Sequence, residues 1–340
     1  MTNKVCISGY YGFDNFGDET ILQILVENLK KMKNVDEITV FSSNPDKTSS
    51  KLGVKSVRTF CPKDVITSLF NSTCLISGGG SLLQDVTSKK SIIYYLSVLF
   101  IAWFFHKKTI IFAQGIGPIN NKFLAKATEF VLKRADYITV RDENSYNLLK
   151  NWGIKSDLCS DPVWNLEVLN IKKTDKIGIQ VRSFPSLTDK KLSDIAFCIN
   201  KYYQNKEILL ISLQNSLDSD ICKKLEKKLY DFNGNFKVEI IENNSNDKLI
   251  DVISSLDELI AMRYHACLVA IKCNVKLLPI CYDIKVKTIA NEFNLPYIDL
   301  ENSQDNILNV FENFVKNKTL YNMEKAEKFK FDFNELEKHL

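Results

Sequence analysis

At 340 residues the chain is long enough for two domains of about 150 residues, and 45% hydrophobic with 25% charged content excludes a disordered or fibrous polypeptide. Lys and Arg number 45 against 41 Asp and Glu, a net charge of +4 that is too small and too dispersed for a nucleic-acid-binding surface. Nine scattered cysteines form no Cys-x-x-Cys pair and no His/Cys cluster with metal-ligand spacing, which argues against a disulfide framework or structural zinc and fits a reducing cytoplasm.

The first residues enter a strand at once and lack the apolar core and cleavage site of a signal peptide, so secretion is not expected. Short β-branched runs then alternate with longer helical patterns, the signature of parallel sheets with crossover helices. Strands are predicted at 4–8, 37–41, 74–77, 109–113 and 137–140. A looser polar stretch at 170–175 marks a domain boundary, after which the alternation resumes with strands at 176–181, 207–213, 237–241, 258–261 and 276–280. Predicted helices in this half include 218–229, 246–255 and 264–272. Domains of 1–170 and 171–310 follow, with a charged helical tail over 311–340 whose pattern begins near Asn306 and carries Ile307, Val310, Phe311, Phe314 and Val315. The expected fold class is α/β with two Rossmann-like domains facing across a cleft, a GT-B-like arrangement.

One segment stands apart. Residues 92–105 (IIYYLSVLFIAWFF) are uncharged and run into His106, Lys107 and Lys108. Fourteen residues fall short of the roughly 20 that span a bilayer, so the run reads as a buried helix, with a helix touching the membrane surface as the competing reading.

Ligands of open parallel sheets sit outside the carboxyl ends of the strands, which is where the unusual residues of this chain fall. The first loop, GYYGFDNFGDE at 9–19, combines three glycines with Asp14, Asn15 and Asp18, and Asp18 is placed to cap the following helix. The second, SGGGSLLQD at 77–85, is expected to expose the backbone N–H groups of Gly78, Gly79 and Gly80 to an anion, with Gln84 and Asp85 available for sugar hydroxyls. QGIGP at 114–118 and Arg141-Asp142 end two further strands. The Arg141 fork suits carboxylate or phosphate, although pairing with Asp142 would make it structural. In the second half, MRYHA at 262–266 places Arg263 two residues before His265, one of three histidines. CYDIKV at 281–286 adds Asp283 as a helix cap and Lys285 as an ammonium.

Together, GYYGFDNFGDE, SGGGSLLQD, QGIGP, RDENS, DPVW, MRYHA and YDIKV, in this order, resemble the polysaccharide pyruvyl transferase family, nearest to its CsaB-like branch. The resemblance spans roughly residues 4–300. It implies a GT-B-like enzyme of cell-surface polysaccharide synthesis that takes phosphoenolpyruvate as donor, uses neither nicotinamide nor metal, and needs no other cofactor. It implies Arg141 as a donor-binding cation, His265 as the acid/base residue, and Arg263 and Lys285 as further positive charge. Asp14, Asn15, Asp18, Gln84, Asp85 and the 78–80 glycines then serve substrate binding. The sequence departs from the family pattern at Tyr264, Cys281 and Ile284, and matches its first-loop pattern only partly.

The partners so implied are phosphoenolpyruvate and a sugar, free or linked to a nucleotide or lipid, with no nucleic acid and with peripheral membrane contact left open. The expected location is the cytoplasm, at or away from the inner membrane face. The alternatives are a GT-B glycosyltransferase using a nucleotide sugar, or a non-catalytic sugar- or anion-binding protein.

Overall fold

The computed structural model describes residues 2–86, 88–167, 171–232, 236–301, 307–317, 321 and 323–340. The chain divides into two compact units, Met1–Asn165 with Phe329–Leu340, and Leu166–Lys328. Asn170 and Asn306, the predicted boundary and tail start, lie outside the described residues.

The first unit runs β1 (Asn3–Ser8), α1 (Phe16–Lys31), β2 (Val35–Ser42), α2 (Pro45–Leu52), β3 (Lys55–Arg58), α3 (Pro62–Asn71), β4 (Cys74–Ser77), β5 (Gly80–Leu83), α4 (Lys89–Phe104), β6 (Lys108–Ile116), α5 (Lys122–Leu132), β7 (Tyr137–Val140), α6 (Glu143–Asn151) and β8 (Asp157–Leu158). Its sheet is ordered β3-β2-β1-β4-β6-β7-β8, with β5 on β6, and every pairing is parallel. A parallel sheet covered on both faces needs strands that are apolar throughout, and residues 5–8 and 109–116 are buried without alternation. Beneath α3, α4 and α5 the core gathers Val65, Leu69, Leu96, Leu99, Leu124 and Leu132 against Leu75, Ile111 and Ile138 of the strands. Each buried leucine contributes roughly 1.5–3 kcal/mol.

The second unit runs β9 (Lys176–Gln180), α7 (Asp189–Tyr202), β10 (Glu207–Ile211), α8 (Asn215–Asp231), β11 (Lys237–Ile241), α9 (Asn246–Ser255), β12 (Glu258–Ala261), α10 (Tyr264–Lys272), β13 (Lys276–Cys281), α11 (Ile284–Glu292), β14 (Ile298–Asp299), α12 (Ile307–Lys316) and α13 (Met323–Lys328). Its parallel sheet is ordered β11-β10-β9-β12-β13-β14. Both units are therefore doubly wound, and strand order reverses at β1/β4 in one and β9/β12 in the other.

Several expectations need correction. The predicted tail is not a separate piece. Ile307, Phe311 and Phe314 of α12 are buried in the second unit, where Lys276 Nζ lies 4.4 Å from the Phe314 ring centroid. The chain then returns to the first unit, where α14 (Phe333–Lys338) lies. There Phe331 and Phe333 pack on Phe112, and Asn165 exchanges two hydrogen bonds with the Phe331 backbone, at 2.9 and 2.7 Å. The segment predicted as a buried helix is α4, and only one side of it is buried: Ile92, Tyr95, Leu96, Val98, Leu99 and Ala102 face inward, whereas Ile93, Phe100, Trp103 and Phe104 are exposed.

Candidate active site

In the first unit the carboxyl ends of β1 and β4 are closed by side-chain packing. Tyr11 is fully buried, and its ring fills the space beside Gly9 and Gly78. A Cβ on Gly78 would lie 1.9 Å from the Tyr11 hydroxyl, and one on Gly79 would lie 2.8 Å from Ile21 Cγ2. Gly80 has φ +109°, and a Cβ there would lie 2.6 Å from Asp18 Oδ1. The Gly78 N–H donates to the Ser8 carbonyl at 2.7 Å, while its own carbonyl accepts from Gln114 Nε2 at 2.8 Å. Gly78 to Gly80 are thus buried, and the expected exposed row of N–H groups gives way to close packing of Tyr11 and α1. Gly80 already belongs to β5, and the Gln-Gly-Ile of QGIGP belongs to β6.

The first loop also differs from expectation. Asn15, not Asp18, caps α1, accepting from the N–H groups of Gly17 and Asp18 at 3.1 and 3.4 Å. Asp18 sits inside the first turn, where its charge favours the helix dipole. Asp14, at φ 56°, pairs with Lys47 at 2.6 Å in a half-exposed contact worth at most about 1 kcal/mol. Glu19 Oε1 accepts from Gly12 N–H at 2.6 Å and ties the loop to the helix. Tyr10 stacks on Phe13 with ring centroids 4.2 Å apart.

Asp85 braces the loop after β6. Its two oxygens accept from the N–H groups of Asn120 and Asn121 at 2.8 and 2.7 Å, and these bonds hold its carboxyl below the usual range. Gln84 Oε1 accepts from Val86 N–H at 2.7 Å.

Arg141, just past β7, is the cation of this edge. Its Nη1 meets Asp161 Oδ2 at 2.5 Å, and its Nη2 reaches Ser81 Oγ at 3.3 Å. The partner is the aspartate of DPVW; Asp142 instead caps α6, accepting from Ser145 N–H at 2.8 Å. The pair is nearly dry, with side-chain exposures of 7% and 1%. The structure brings Arg141 onto the glycine-rich segment through Ser81.

In the second unit β9 and β12 end side by side. Gln180, fully buried, accepts the Arg263 N–H on Oε1 at 2.7 Å, and its carbonyl accepts the Met262 N–H at 3.0 Å. Arg263 turns its guanidinium to Asp218, Nε to Oδ2 at 2.8 Å and Nη2 to Oδ1 at 2.6 Å. Arg263 is the N-cap residue of α10 and makes no side-chain cap bond, so the helix's first N–H groups are not closed by that side chain. His265 is half-buried in the first turn of α10, its ring 5.4 Å from that of Tyr264. Lys285 stands in the first turn of α11, which Asp283 caps by accepting from Val286 N–H at 3.0 Å. The sheet thus gathers Arg263, His265 and Lys285 at one edge, behind the adjacent strands β12 and β13.

Arg182, two residues past β9, is the member of this edge that sequence reading missed. Its Nη1 donates to Tyr282 Oη at 3.1 Å, its guanidinium lies 5.3 Å from the Tyr282 ring centroid, and its Nε is buried with no hydrogen-bond partner among the described residues. Among the described residues it has no carboxylate partner. The signal was present: Arg182 directly follows the strand predicted at 176–181, as Arg141 directly follows the one predicted at 137–140.

The solved structures that the chain is similar to share this fold. Anabaena Alr3699/HepE in complex with UDP and glucose matches at 11% identity and TM-score 0.65, covering 99% of this chain and 97% of that one. The UDP-GlcNAc 2-epimerase of Methanocaldococcus jannaschii matches at 11% and 0.65, covering 96% and 98%. S. aureus MnaA with UDP matches at 12% and 0.64, covering 97% and 93%. At such identities the likeness establishes the fold class alone, two Rossmann-like α/β units of the GT-B-like kind. A search by sequence against curated proteins finds no match. The family model for polysaccharide pyruvyl transferase matches residues 15–284, which takes in the glycine-rich segment, Arg141 with its Asp161 partner, and the 262–266 turn; the chain belongs to that family.

Proposed function

We propose that the enzyme transfers a pyruvyl group from phosphoenolpyruvate to two hydroxyls of one sugar, forming a cyclic ketal and releasing phosphate. The observation that carries this reading is the edge of the second unit, where Arg182, with no carboxylate partner among the described residues, follows β9, and the Arg263–Asp218 pair and His265 follow the adjacent strand β12. A small donor bearing a carboxylate and a phosphate needs positive charge and N–H groups rather than an apolar pocket. Arg182 supplies the charge, and the start of α10 supplies N–H groups.

His265 is the proton donor in this reading. Its proton goes to the donor's methylene carbon, the neighbouring carbon takes on oxocarbenium character, and a sugar hydroxyl adds there and gives up its own proton. The first hydroxyl's proton returns to the imidazole, phosphate departs from the same carbon, and the second hydroxyl closes the ring there as its proton passes to the departing phosphate. An imidazole, ordinarily near pKa 6.5, exchanges protons in the range where this chemistry runs. Lys285, in the first turn of α11, adds positive charge toward the donor in the same proposal. Asp14, Asn15, Asp18 and Gln84 remain proposed contacts to the acceptor. The bonds Asp85 makes to the 120–121 backbone support a bracing role for it.

The sugar acceptor in this proposal is free or linked to a nucleotide or a lipid. Relatives of the same fold hold UDP or UDP-GlcNAc, which supports trying nucleotide-linked sugars first. The test incubates the protein with phosphoenolpyruvate and a panel of sugars, following free phosphate and the mass gain of a pyruvyl ketal. Release of a nucleotide from a nucleotide sugar, with phosphoenolpyruvate untouched, would establish glycosyl transfer instead.

A further inference from the structure

Beyond Lys89 and Lys90 in its first turn, the outward side of α4 carries no charged residue. Ile93, Ser97, Phe100 and Phe104 recur at helical spacing along its exposed face, and even the Ser97 hydroxyl is turned back to the Ile93 carbonyl at 2.8 Å. A helix covering a sheet normally shows water a polar stripe. Here ring contacts continue the apolar surface onto both neighbouring helices. Phe70 of α3 meets Phe105 at 5.6 Å, Phe105 meets Phe104 at 5.7 Å, Phe100 meets Trp103 at 5.4 Å, and Trp103 meets Phe130 of α5 at 6.3 Å. Ten of the 17 exposed large hydrophobic residues among those described fall between Phe60 and Phe130. Scattered exposed leucines need no explanation, but a contiguous aromatic surface does.

The charge around it is mostly positive. Residues 62–134 hold nine Lys and Arg against three Asp and Glu, a surplus of six where the whole chain has +4. Lys89 and Lys90 open α4, Lys122 and Lys126 lie on α5, and Arg134 lays its guanidinium 3.5 Å from the Phe130 ring centroid. Two copies meeting through this surface would bring like charge against like. An acidic protein would answer the charge but would not by itself call for so broad an aromatic surface.

We propose that the α3–α4–α5 face of the first unit docks on the surface of an anionic lipid bilayer, with α4 lying flat along it. Aromatic rings suit the zone between headgroups and acyl chains, and a lysine and arginine rim draws acidic headgroups. The attachment is peripheral, since among the described residues no helix is long and apolar enough to cross a membrane. The proposal does not depend on which donor the enzyme uses.

The test is co-sedimentation of the full chain with phosphatidylcholine vesicles, with and without phosphatidylglycerol, at rising salt. Binding is expected only with phosphatidylglycerol and should weaken as salt screens the charge. The double variant Phe100→Ser/Phe104→Ser should bind about tenfold more weakly or less, with its thermal melting point unchanged. Absence of binding to anionic vesicles, or equal binding by the double variant, overturns the proposal. So does a lipid-free dimer that the double variant dissolves, which would make this face a contact between copies.

Discussion

Asp218 grips Arg263 with both carboxylate oxygens, at 2.8 and 2.6 Å, while its Oδ2 also accepts the N–H groups of Leu213 and Gln214 at 3.1 Å each. One buried carboxylate therefore fixes the loop after β10 and the guanidinium after β12 together. Asp218→Asn keeps the volume and removes the charge, leaving the Arg263 cation uncompensated. The expected cost is about 3–5 kcal/mol of unfolding free energy, read by urea denaturation, together with a raised KM for the donor. A variant as stable as the parent would show that the pair does not anchor this edge.

His265→Ala should lower turnover by about 10²–10⁴-fold while circular dichroism and melting stay the same, because the side chain is only half-buried. Turnover within about threefold of the parent would remove His265 from the chemistry.

Arg182→Lys keeps the charge but loses the planar fork and its contact with Tyr282. The KM for phosphoenolpyruvate should rise about ten- to a hundredfold, with a smaller change in kcat. An unaltered KM would place the donor away from β9.

Asp85 offers a pH test. Its carboxyl is held below the ordinary 3.8 by the N–H groups of Asn120 and Asn121, so the ionised form favours the folded state. That stabilisation is fully present above pH 3.8 and is lost as pH falls through the lower folded value. Asp85→Asn should be less stable than the parent at neutral pH, with the gap closing on acidification. Its KM for the sugar should stay put if the residue only braces the loop.

Gly78 and Tyr11 form a coupled pair. Gly78→Ala should cost about 1–3 kcal/mol, because its new methyl would lie 1.9 Å from the Tyr11 hydroxyl. Tyr11→Phe removes that oxygen, which is buried with no hydrogen-bond partner among the described residues, and should be nearly neutral alone. Combined with Tyr11→Phe, the alanine should cost less than it does alone, and additive costs would refute the contact.

The sequence was most legible where the chemistry of burial is uniform. Cys74–Ser77, Tyr137–Val140, Lys237–Ile241, Glu258–Ala261, Asn246–Ser255 and Tyr264–Lys272 match the predicted bounds, because short β-branched runs and longer helical patterns declare themselves locally. Lys55–Arg58 was missed because only partial burial marks it, and Gly80–Leu83 because three glycines read as a turn. At the candidate site, the residue types lie at strand ends as expected, but they did not announce their partners. Arg141 bonds Asp161, 20 positions on, and Arg263 bonds Asp218, 45 positions back, and no local pattern encodes such distances. Glycines likewise announce a close approach without saying whether a ligand or Tyr11 makes it.

The return of residues 329–340 to the first unit bears on how the protein is made. Phe112, at the heart of β6, is fully covered, and Phe331 and Phe333 belong to its cover. At roughly 5–20 residues per second, about 10–30 s pass on the ribosome between the emergence of residue 165 and that of Phe331. During that interval the nascent N-terminal half lacks the two rings that complete the cover of Phe112.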